Sequence, residues 1–328
     1  MDSTRLKTNI SYIIYKDDLP TLYDLGNFDK DNFICIGCSE KAIPASYKPD
    51  NLQRPHFRVK EHDKKCDINN YKELIKIGKK KKVSTSLGFP LPYPSKLYLQ
   101  DKIKKVISNE SIESDEDIKR VRGYTRNNEK KELNTYHQTT SSTIRPIVKH
   151  YLDFPFDRDI ELNIPFLSDN LKMYDDYLKP ISKYDIDINE FKSRYTEAKL
   201  YYVPLSVEKN NIIIDDEILI LKLLCGNKDE NFYLKMDISK WSNKKKHEVT
   251  DELEKESKKK IELYYENNKK STKENIYLFF IGKLNENNPY EFQLMENDFR
   301  LYYATFTKII YPKKKKRVYL KLYQSKKR

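Results

Sequence analysis

The sequence predicts an α+β protein in two parts: a small Cys- and His-rich N-terminal domain and a larger, mainly β C-terminal domain with one long helix. Three observations predict it. Three of the four cysteines and two of the five histidines fall between residues 35 and 66. A polar tract from Ser108 to Thr140, with blocks of both charges and few apolar residues, divides the chain. Beyond it, the stretch from Leu200 to Tyr311 reads as three strands, a polar helix and two more strands. The divisions fall at 1–106, a linker over 107–142, and 143–328.

Ile10 to Tyr15 reads as a strand, and the Cys/His cluster follows. Cys35 and Cys38, two residues apart, present two thiolates to one tetrahedral ion. His62 and Cys66 add an imidazole and a third thiolate, one helical turn apart on one face. Cys35, Cys38, His62 and Cys66 therefore make a closed set of four for a structural zinc, with no position left for a catalytic water. His56, between Pro55 and Phe57, is a fifth candidate that either replaces His62 or steadies a ligand from behind. Three clustered cysteines cannot all pair as disulfides, and no apolar leader follows Met1, so the expected compartment is the cytoplasm.

The run from Phe33 to Cys66, a two-cysteine knuckle, a Pro-His-Phe-Arg strand and a His-x3-Cys closure, resembles the zinc-finger-like N-terminal region of competence-protein CoiA-like proteins and related bacterial mobile-element and defence proteins. The resemblance spans about a tenth of the chain. It implies the same zinc ligands and a place in DNA metabolism or anti-phage defence, and it implies nothing catalytic.

After Cys66, apolar residues at helical spacing and a Gly stop predict a helix over Ile68 to Gly78, packed on the finger. Leu87 to Pro94 holds three prolines and reads as an extended connector. Thr139 to Thr143 starts a helix over Ile144 to Leu152. Ile160 to Phe191 reads as a short strand and one or two amphipathic helices, one of them over Leu171 to Leu178. The C-terminal strands are Leu200 to Val207, Ile212 to Leu224 and Phe232 to Ile238, then a helix from Lys246 to Asn267, then Ile276 to Ile281 and Phe299 to Tyr311. Over about 199–311 that succession is the order of an OB-fold, a partly open five-stranded barrel that binds single strands or oligosaccharides.

The formal charge is +13, and the run from Lys308 to Arg328 carries ten Lys or Arg and no Asp or Glu. Concentrated charge of this sign attracts polyanions by counterion release. Lys313, Lys314, Lys315, Lys316 and Arg317 read as a basic hairpin tip. The strand after it alternates, with Val318, Leu320 and Leu322 on one face and Tyr319, Lys321 and Tyr323 on the other. Bases stack on such rings, and the same alternation also suits an edge strand guarded by lysines.

Catalytic signatures are absent: there is no phosphate-binding Gly-rich loop, no H-E-x-x-H, and only seven glycines. His137, His150 and His247 read as surface or half-buried residues, and Cys225 as core. One acidic pattern remains, Asp187 (with Asp185 before it), Glu197 and Lys199, which would suit a Mg2+-dependent nuclease. No run of 18 apolar residues spans a membrane. The leading reading is a zinc-stabilised nucleic-acid-binding protein without catalysis, favouring single-stranded DNA or RNA. The nuclease is the second reading, and a scaffold for protein partners in a defence complex is the third.

Overall fold

The computed structural model describes residues 3–8, 13–24, 26, 28–48, 50–51, 53–64, 66, 68–86, 88–99, 138–168, 170–181, 187–206, 212–225, 231–267 and 274–312. The basic hairpin and tail after Pro312, His137, Asp185 and most of the expected linker lie outside the described residues.

In the small N-terminal unit, β1 (Ser3–Leu6) is the middle strand of an antiparallel sheet with β2 (Ile13–Tyr15) and β3 (Phe33–Cys35). A short helix α1 (Leu19–Asp24) and the hairpin β4 (Ala42–Ala45) with β5 (His56–Val59) complete it. Its core is small: Ile14, Leu19, Phe33, Ala42, Tyr47 and Phe57.

Helix α2 (Ile68–Gly78) forms where the periodicity predicts it, and part of its apolar face turns to the large core. Leu74 and Ile75 lie against the large core, and the Tyr71 ring meets Phe154 with centroids 6.4 Å apart. The proline-rich connector is also more than a spacer. Phe89 is buried, and β6 (Tyr93–Leu97) pairs in parallel with β7 (Gln138–Ser141), a strand formed by residues that the sequence places at the end of the polar linker. The polar strand can be buried because its hydroxyls are used: Thr139 Oγ1 donates to Tyr93 O at 2.9 Å.

Helix α3 (Ile144–Asp153) buries Ile144, Ile147, Val148 and Tyr151 at helical spacing. His150 lies on the same face and is enclosed, which corrects its reading as a surface or half-buried residue. Phe89, Tyr93, Phe154 and Tyr174 surround its ring at 4.8–5.4 Å, and its Nε2 has no hydrogen-bond partner among the described residues. The helix expected over Leu171 to Leu178 shrinks to one turn, α4 (Tyr174–Tyr177), which runs into β8 (Leu178–Pro180). Helix α5 (Ile188–Arg194) follows.

The large sheet is built from β8, which pairs in parallel with β9, and from β9 (Lys199–Pro204), β10 (Ile212–Ile214), β11 (Ile218–Leu223), β12 (Phe232–Asp237), β13 (Asn275–Leu284), β14 (Glu291–Leu294) and β15 (Tyr302–Thr307). The long helix α6 (Asn243–Glu266) connects β12 to β13, begins at the Ser242 cap, and sends Val249 and Leu253 into the core. The strand expected from Ile212 to Leu224 is broken at Asp215, whose carboxylate accepts from the backbone N–H of Glu217 and Ile218 and turns the chain into a hairpin. The last expected strand, Phe299 to Tyr311, is extended only over β15. The sequence reading has no counterpart of β14, and residues 295–301 make a kink with positive φ at Glu296 and Asn297 before β15 begins.

β11 pairs antiparallel with β12, β12 parallel with β14, β14 antiparallel with β13, and β13 antiparallel with β9. The sheet then curls back on itself, because Leu205 bridges Leu223 and Leu224 N donates to Pro204 O at 2.8 Å. By register, β9 and β10 run in line along one edge of β11, and β14 and β15 in line along one edge of β13. Period-two burial sends Leu219, Leu221, Leu223, Phe232, Leu234 and Met236 inward.

Two outcomes follow from this packing. A Cβ on Gly282, a residue hydrogen-bonded into strands on both sides, would lie 2.1 Å from the Gln293 carbonyl oxygen. Gly282→Ala is expected to cost about 1–3 kcal/mol or more, read as a lower denaturation midpoint. At His150, burial pulls the imidazole from 6.5 to about 3. Between these values the unfolded chain binds a proton that the folded chain refuses, so stability falls as pH drops through that window, by about 2 kcal/mol at pH 5. Urea denaturation from pH 7 to 4 should show this slope, and His150→Phe should flatten it.

Candidate metal centre

Cys35 ends β3, and its N–H bonds to Glu40 O at 2.8 Å, closing a tight knuckle that returns Cys38 beside it. Gly37 N–H points at Cys35 Sγ, 3.4 Å away. Strand β5 leads into the loop that carries His62 and Cys66. This loop is not helical: Cys66 N–H bonds to Asp63 O at 2.9 Å, and α2 begins only at Ile68. The turn, instead of the expected helical face, brings the two side chains together.

The four ligand atoms lie within 4.8 Å of one another. His62 Nδ1 is 3.4, 3.7 and 3.3 Å from the sulfurs of Cys35, Cys38 and Cys66, and the Cys35 and Cys66 sulfurs are 3.7 Å apart. A tetrahedral zinc with bonds of about 2.3 Å to sulfur and about 2.0 Å to nitrogen has edges of about 3.8 and about 3.5 Å. The four side chains fit such an ion, and they can hold one without rearrangement. Burial pushes the Cys35 thiol up to about 12. At Cys38 burial acts the same way, but the Glu40 N–H and the His62 ring outweigh it and bring that thiol down to about 7. A bound cation would displace the remaining protons.

His56 is not part of the set. Its Nδ1 lies 3.0 Å from Arg54 O, and its Nε2 accepts from Arg58 Nε at 2.9 Å. The acidic pattern is not assembled either. Asp187 caps α5, accepting from Asn189 and Glu190 N–H, while the exposed Glu197 pairs with Lys199 at 2.9 Å. Among the described residues, the Cys/His cluster is the one group of three or more His, Cys, Asp or Glu side chains placed to hold a metal. Cys225 is buried in the large core, and His247 is exposed on α6, 3.4 Å from Asp251. No helix among the described residues is long and apolar enough to cross a membrane. No protein-family model, curated protein or solved structure matches the chain.

Metal analysis of gently purified protein should give one ion per chain. Cys66→Ser and His62→Ala should lose it, and His56→Ala should keep it. Acidification should release the metal, because protons compete for the same sulfurs.

Proposed function

We propose that this protein is a zinc-stabilised nucleic-acid-binding protein of bacterial DNA metabolism or of defence against phage and mobile elements, and that it works without catalysis. One observation carries the reading, the pairing order of the large sheet. Counted along the chain, the barrel strands are β9 with β10, then β11, β12, β13, and β14 with β15. They pair as 1-2-3-5-4 and back to 1, with the third and fifth parallel and the helix between the third and fourth. An OB-fold has this order, and it binds oligonucleotides across its second and third strands and the loop between its fourth and fifth.

On this chain the outward residues of β11 and β12 are Ile218, Ile220, Lys222, Tyr233, Lys235 and, at the end of β12, Asp237, and the loop between β13 and β14 carries the exposed Tyr290. The Tyr233 ring stands opposite Lys222 on one side and Glu291 on the other, with Lys235 two residues on, and it suits a stacked base whose phosphate lies on the Lys222 side. The basic run from Lys313 to Arg317, with Tyr319, Lys321 and Tyr323, adds charge that follows a backbone without reading its sequence.

Fluorescence anisotropy with single-stranded and duplex DNA and RNA, over a salt series, tests this reading. Tight, salt-dependent binding of single strands is expected. Tyr233→Ala should cost about 1–3 kcal/mol on single strands and less on duplex, because only an unstacked base can lie on the ring. Truncation after Pro312 should flatten the slope of log affinity against log salt by about 0.7–0.9 for each phosphate that the tail neutralises. Absence of binding to all four nucleic acids at low salt would contradict the proposal and favour a protein-binding scaffold.

A further inference from the structure

The two hydrophobic cores share no buried side chain, and a polar seam joins the units. Tyr15 OH meets Thr139 Oγ1 at 2.7 Å, Ser142 Oγ donates to the Asp18 carboxylate, and Lys244 Nζ donates to Lys48 O at 2.7 Å. The centre of the seam is Glu252 on α6, whose side chain is only 7% exposed. Two guanidinium groups compensate it, both at its Oε2. Arg145 of α3 approaches at 2.9 Å, and Arg54 of the small unit at 3.2 Å while also donating to Glu248 O at 2.7 Å. Arg145 also rests on the Tyr303 ring, 4.6 Å beneath it, and reaches Asp17 of the small unit at 3.8 Å, a second link across the seam.

Arg54 grips the large unit through α6, at Glu252 and Glu248. It stands two residues before β5, and β5 is held at both ends by the Cys/His cluster: it pairs with β4, which leaves the Cys35–Cys38 knuckle, and it runs into the loop bearing His62 and Cys66. Freeing those four ligands frees the strand that aims Arg54.

We propose that the small unit is a metal-dependent clamp on α6: with the Cys3His set metallated, Arg54 closes on Glu252 and Glu248 and holds the helix to the barrel, and without metal the clamp opens. A buried carboxylate that loses one of two charged partners favours states in which it reaches water, so the N-terminal half of α6 loosens with the small unit. The proposal rests on the metal reading and not on nucleic-acid binding.

Hydrogen exchange on the full chain tests it, with emission from the single tryptophan, Trp241, just before α6, as a second readout. On chelation, exchange in peptides over 243–257 should rise about tenfold or more together with that over 33–66, as expected for losing a charged hydrogen bond. Trp241 emission should shift to the red. Arg54→Ala should retain one metal per chain yet show the raised α6 exchange before chelation, and chelation should then add little. Chelation that loosens 33–66 alone, or Arg54→Ala with wild-type protection of α6, would overturn the clamp. A chain purified without metal would overturn the metal reading beneath it, and the Arg54→Ala comparison would still decide whether the seam holds α6.

Discussion

A tetrahedron of three sulfurs and one ring nitrogen is what the N-terminal unit depends on. Its core has six buried side chains, too few to order a loop-rich segment unaided. A metal held by Cys35, Cys38, His62 and Cys66 would tie the knuckle after β3 to the loop after β5, and β4 and β5 are strung between those two points. The strands position these four side chains, and an ion ligated by them would in turn fix the strands. Arg54 reaches the large unit from that frame, so the geometry of one small site extends to the helix that packs on the barrel.

The large unit has no comparable need. Its sheet closes on itself, and its interior is filled by aromatic and aliphatic side chains such as Phe232, Phe279, Phe280 and Phe292. The polar groups it buries are those that fix relationships between elements: Thr139 holding β7 to β6, and Glu252 between Arg54 and Arg145. Removing one member of a buried ion pair commonly costs about 3–5 kcal/mol, while the intact pair adds little net stability. Such a group specifies how the parts meet more than how firmly each part folds.

The metal ligands are legible because cysteine and histidine are scarce in this chain and few other pairings suit three thiols at that spacing. Helices α2 and α3 are legible from period, yet period names the buried face and not its partner, so it cannot tell that Leu74 and Ile75 of α2 pack against the large core. The His62–Cys66 spacing fits both a helix and a turn, and a local backbone bond to Asp63 decides for the turn. Strand β7 escapes detection because Gln-Thr-Thr-Ser carries no hydrophobic alternation and is held by hydroxyl bonds, whereas β14, Glu-Phe-Gln-Leu, does alternate and buries Phe292 and Leu294 but is only four residues long. His150 reads as a surface or half-buried residue in the sequence since only tertiary packing of four aromatic rings encloses it. The Arg54–Glu252–Arg145 seam joins residues far apart in the chain, and nothing local marks it.

X-ray absorption at the zinc edge of the purified full-length chain tests the central claim most directly. The account predicts a four-coordinate ion with three sulfur neighbours at about 2.3 Å and one imidazole nitrogen at about 2.0–2.1 Å. A shell dominated by oxygen, two sulfurs in place of three, or no zinc edge at all would contradict it.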